Sequence, residues 1–89
     1  MTDPVVHIVD DDPAMRESVA FLLDTVNLAT CVYEGAHALL ARGEALEPGC
    51  IVTDIRMPEM NGLELVGELK RRGVPHPVIV LTGHADVSL

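Results

Sequence analysis

Two short β-branched runs in this chain end abruptly on acid: Val5-Val6-His7-Ile8-Val9 stops at Asp10, Asp11 and Asp12, and Cys50-Ile51-Val52-Thr53 stops at Asp54. Near-continuous apolar runs of this length read as strands buried on both faces, as in a parallel sheet. Pro13 follows the first acids, and proline at the first position of a helix gives up no hydrogen bond that the helix would make, with Asp12 placed as the N-cap. The acids therefore stand where strands give way to other structure. If the two strands are parallel neighbours, Asp10, Asp11 and Asp54 converge at one carboxyl edge, where open α/β sheets bind their ligands.

The rest of the chain alternates in the same way. In residues 13–26, Met15, Val19, Leu22, Leu23 and Val26 recur at helical spacing and predict one buried face. Residues 28–33 predict a second strand, residues 36–41 a short helix ending near Gly43, and residues 44–49, with Pro48, a loop before the third strand. Asn61, with Glu64 three residues on, predicts a capping box opening a third helix, which closes on Lys70, Arg71 and Arg72 before Gly73. Pro75 and Pro77 bracket the turn into a fourth strand, Val78-Ile79-Val80-Leu81, and Thr82 after it places a hydroxyl at the same sheet edge. The pattern is βαβα without internal repeats, so residues 1–89 are expected to form one domain.

Three carboxylates packed together repel and raise one another's pKa unless a cation or proton intervenes. Mg²⁺ answers that need, since it takes oxygen ligands and commonly joins one or two carboxylates to a phosphate. It also neutralises charge on a phosphoryl group passing to a carboxylate nucleophile. A plainer reading has Asp10 to Asp12 as acids favoured at a helix N-terminus, each contributing roughly 0.3–1 kcal/mol, and Asp54 as a turn residue.

Composition narrows the function classes. A net charge of −8, from 14 acids against 6 bases, argues against direct nucleic-acid contact by this segment. No apolar run approaches the ~20 residues of a membrane span, and the N-terminus lacks the basic segment of a signal peptide, so a cytoplasmic protein is expected. Cys31 and Cys50 read as small buried hydrophobes, with no further cysteine or clustered histidine spaced to complete a disulfide or zinc site. His7 reads as a satisfied strand residue, His37 as helix surface, His76 as a loop residue between prolines, and His84 as a solvated side chain near the proposed site.

In combination, the segments His7-Ile8-Val9-Asp10-Asp11-Asp12, Val52-Thr53-Asp54-Ile55-Arg56-Met57-Pro58 with Asn61-Gly62, and Val80-Leu81-Thr82-Gly83-His84-Ala85-Asp86-Val87 resemble the receiver domain of two-component response regulators. The last segment is similar to nitrogen-fixation and nodulation regulators, whose receivers precede a DNA-binding output domain. The resemblance implies that Asp54 is the phosphoacceptor, charged by a sensor histidine kinase or a small phosphodonor. It implies Mg²⁺ bound by Asp11, Asp54 and the backbone carbonyl of Arg56, with Asp10 acting largely through a bound water. Thr82 would sense the phosphoryl group, and Arg56 and His84 stand where the family tunes phosphoryl lifetime. Such a domain is a switch rather than an enzyme.

The family has a flavodoxin-like doubly wound sheet with strand order 2-1-3-4-5. Set against it, the sequence stops at Leu89, and the resemblance predicts a C-terminally truncated receiver with four strands in the order 2-1-3-4. The family's fifth-strand lysine then has no counterpart, since Lys70 falls in the third helix. An unpaired fourth strand is expected to favour self-association or a swapped dimer. Two other readings stay open: an interaction module that cannot be switched, and a haloacid dehalogenase-like phosphotransferase with Asp10 and Asp12 as its nucleophile and acid. The second has Ala14 where that family favours Thr or Val, and lacks a later acidic pair.

Overall fold

Four strands alternate with three helices in a computed structural model that describes residues 3–81. The strands β1 (Val5–Val9), β2 (Ala29–Tyr33), β3 (Gly49–Asp54) and β4 (Val78–Leu81) form one parallel sheet in the order β2-β1-β3-β4, the flavodoxin-like order expected. The crossovers carry α1 (Pro13–Asp24), α2 (Ala36–Leu40) and α3 (Gly62–Arg71), with a 3-10 turn at Gly43–Ala45 before β3. From β1 the chain moves first to β2 on one side and then to β3 on the other. The reversal opens a crevice at the carboxyl ends of β1 and β3. The register aligns those ends, since Val9 pairs with Tyr33 on one side and Thr53 on the other, and Asp54 pairs with Leu81.

The main core lies between the sheet and the helices α2 and α3. Val9, Tyr33 and Ile51 from the strands meet Leu39, Leu65 and Leu69 from the helices, and Met57 closes the cluster from the loop after β3. By strand alternation Ile8 faces the other way, where α1 packs against β1 and β2, and it too is buried. Local chemistry sets the helix starts. Asp12 caps α1 by accepting from the Ala14 N–H at 3.0 Å. Asn61 and Glu64 form the full capping box of α3, at 2.8 Å and 2.9 Å, and satisfy two otherwise orphaned donors.

Two expectations are corrected. The α1 face was predicted to bury Met15, Leu22 and Val26, yet they are 47%, 65% and 61% exposed, while Val19 and Leu23 are half-buried. The helix stops at Asp24 and the chain reverses through Asn27 in the left-handed region, so Val26 lies outside it. The helix α1 packs mainly against β1 and β2, and the outer part of its apolar stripe reaches past that contact. Cys31 and Cys50 are half-buried free thiols rather than fully buried ones. Among the described residues no helix is long and apolar enough to cross a membrane.

Candidate functional site

Asp10 is the first residue past β1 and is held from several directions. Its N–H donates to the Tyr33 carbonyl at 3.1 Å, continuing the sheet by one rung. Its carbonyl accepts from Arg16 Nη1 at 2.8 Å, and its Oδ1 accepts from the Asp12 N–H at 2.9 Å. The side chain is buried, at 5% exposure. Burial pushes its pKa above the ordinary carboxylate value; the Asp12 N–H pulls the other way, and the charges of Asp54, Asp11 and Asp12 push it up further. Asp11 is exposed between two tethered neighbours.

Asp54 ends β3. Its Oδ1 accepts from the Ile55 N–H at 2.8 Å, and its carbonyl accepts from Thr53 Oγ1 at 3.0 Å. The chain beyond is pinned: the buried Met57 enters the core, and the Gly62 N–H donates to the Ile55 carbonyl at 2.8 Å. Gly62 is required there, since a Cβ on it would stand 2.3 Å from the Asp54 carbonyl oxygen. Only glycine lets α3 begin so close to the acid.

Asp10, Asp11 and Asp54 each bring one carboxylate oxygen to within 4.8 Å of the others. The convergence predicted from two strand ends is therefore present. The donors are all hard oxygens, and one of them belongs to a desolvated carboxyl with a raised pKa, which is the setting a divalent cation relieves. Arg56 lies two residues beyond Asp54 with its side chain exposed, beside an open cavity bounded by Ile55, Met57, Pro58 and Asn61. Thr82 and His84 lie outside the described residues. Sequence reasoning missed Arg16, whose signal was its place six residues past Asp10 in the first turns of α1, and it missed the steric demand at Gly62.

The response regulator receiver domain family matches residues 6–89, and the chain belongs to that family. It is 55% identical over 84 residues to the transcriptional regulatory protein FixJ of Azorhizobium caulinodans, an alignment covering 94% of this chain and 40% of that protein. Among solved structures, FixJ-N is similar with a TM-score of 0.89 at 44% identity, covering 98% of this chain and 70% of the other. The response regulator TrrA of Thermotoga maritima, in complex with Mg²⁺-BeF, is similar with a TM-score of 0.84 at 26% identity, covering 92% of this chain and 71% of that one. The chain is thus a receiver domain of the FixJ type, a component of two-component signalling. It spans 40%, 41% and 44% of the length of three FixJ relatives that it matches.

Proposed function

We propose that Asp54 accepts a phosphoryl group from a sensor histidine kinase, and that residues 1–89 act in the cytoplasm as the receiver that controls a transcriptional output domain. The observation that carries this reading is the meeting of Asp10, Asp11 and Asp54 within 4.8 Å at the carboxyl edge of the sheet. The donor set fits Mg²⁺, held by Asp10, Asp11, Asp54 and the main-chain carbonyl of Arg56. TrrA, a response regulator of similar structure, is known in complex with Mg²⁺-BeF. When bound, Mg²⁺ supplies positive charge against the incoming phosphoryl oxygens.

The side chains divide the remaining work. The Ile55 N–H holds Asp54 Oδ1, which fixes the carboxylate plane and leaves Oδ2 free as the nucleophile. The Asp12 N–H and the Arg16 guanidinium fix the side chain and backbone of Asp10, so that its buried carboxyl is pre-aimed rather than ordered on binding. Thr82 follows β4, whose register sets Leu81 beside Asp54, and that neighbourhood supports its role as the hydroxyl that senses the phosphoryl group. The exposed Arg56 side chain tunes how long the modification lasts.

Incubation with Mg²⁺ and acetyl phosphate tests the proposal. Phosphoryl incorporation should require Mg²⁺, stop on chelation, and vanish in Asp54→Asn. Incorporation that survives chelation or the Asp54 substitution would remove the basis for it.

A further inference from the structure

Toward the other end of the sheet, on the face covered by α2 and α3, the fold assembles a second set of ligand-type side chains. His7, Cys31 and Glu47 each offer one atom, a nitrogen, a sulfur and a carboxylate oxygen, and these lie within 4.8 Å of one another. His7 and Cys31 are paired across β1 and β2, and Glu47 stands in the turn entering β3.

The hydrogen bonds prepare His7 as a ligand. Its ring is fully buried, with Nε2 2.9 Å from the Glu47 carbonyl and Nδ1 2.9 Å from the Tyr33 hydroxyl. A carbonyl only accepts, so the neutral ring carries its proton on Nε2 and its lone pair on Nδ1. An imidazole that donates one N–H to a backbone carbonyl, and so carries its lone pair on the other nitrogen, is the usual support of a metal-binding histidine. The arrangement is duplicated nearby. His76 Nε2 lies 2.9 Å from the same Glu47 carbonyl, and the two rings meet edge to face with centroids 6.0 Å apart. By the same argument His76 Nδ1 also carries a lone pair, and it is buried without any hydrogen-bond partner. Buried polar atoms are rarely left so.

We propose that His7 Nδ1, Cys31 Sγ and the Glu47 carboxylate form a site for a borderline divalent transition-metal ion of the Zn²⁺ class. The mixed nitrogen, sulfur and oxygen set selects Zn²⁺ over Mg²⁺, the reverse of the all-oxygen site at Asp54. On loading, the Cys31 thiol releases its proton to solvent as the sulfur–metal bond forms, and the Tyr33 hydroxyl gives up its place on His7 Nδ1. Glu47 exchanges its 2.9 Å pairing with Arg42 for the ion. That pair is about one-third exposed on each side, the kind of surface ion pair that contributes little. Arg42 keeps the Ala45 carbonyl as a partner.

Titration of the purified protein with Co²⁺ tests the site, because a thiolate ligand produces a sulfur-to-cobalt charge-transfer band. One equivalent of Co²⁺ should raise that band, Zn²⁺ should displace it, and excess Mg²⁺ should leave it unchanged. Tyr33 is the single tyrosine and the chain has no tryptophan, so intrinsic emission should change in step with the band. The band should persist in Asp11→Asn and in Cys50→Ser and be lost in Cys31→Ser. With only two cysteines in the chain, a band in Cys50→Ser can come only from Cys31, which decides the matter even where Cys31→Ser fails to fold. Absence of the band in the wild type, its loss in Cys50→Ser, or its survival in a folded Cys31→Ser would each overturn the proposal.

Discussion

Asp10→Asn should make the protein more stable without a divalent ion, although it changes a buried residue of the site. Asp10 is 5% exposed and shares a 4.8 Å cluster with Asp11 and Asp54. At that separation each pair of charges repels by about 1 kcal/mol even at the dielectric of bulk water, and by more where solvent is excluded. Removing the Asp10 charge relieves two such pairs and its own desolvation. The hydrogen bond from the Asp12 N–H survives, because the asparagine side-chain oxygen can accept it. The net gain should be about 2 kcal/mol, or a rise in melting temperature of about 8–16 °C for a domain of this size. Urea unfolding of the wild type and the variant in EDTA, then in millimolar Mg²⁺, measures it. The advantage should shrink or reverse with Mg²⁺, since ion binding stabilises the wild type more. A variant less stable than the wild type in EDTA would refute the view that charge repulsion dominates at this site.

Gly62→Ala should cost about 1–3 kcal/mol, because its Cβ would stand 2.3 Å from the Asp54 carbonyl oxygen and displace the start of α3; equilibrium unfolding checks this, and a neutral result would contradict the close approach. Asn61→Ala removes one side of the capping box and should lower stability by about 1 kcal/mol in the same assay. Hydrogen bonds from Arg71 and then Arg72 hold Glu68 at about 2, below its ordinary value of 4.5. A depressed carboxylate contributes stability above its unfolded value that fades as pH falls through the folded one. The difference in urea midpoint between wild type and Glu68→Gln should therefore be constant at neutral pH and close between about 4.5 and about 2. It should be small and salt-sensitive, since the arginines are exposed.

The acidic site was legible because parallel strands bring their carboxyl ends to one edge, so acids closing two apolar runs must meet if the runs are neighbours. Asn61 with Glu64 was legible for a local reason, as a capping box is written within four residues. The α1 face was misread because periodicity reports which residues share a stripe but not how wide a neighbour covers it. Leu22 lies on the predicted stripe and is still exposed. Gly62 carried no steric signal, since its neighbour is the Asp54 backbone and not anything adjacent in sequence. The grouping of His7, Cys31 and Glu47 was hidden for a related reason: no metal-binding spacing links those positions, and only strand register with the turn before β3 brings them together.

The proposed function stands or falls on Asp54 as the acceptor. Borohydride trapping after incubation with Mg²⁺ and acetyl phosphate, followed by mass-spectrometric mapping of the reduced residue, tests it most directly. Modification is expected at Asp54 alone. Modification at Asp10 would contradict it, making the first acid after β1 the nucleophile and Asp54 a ligand only.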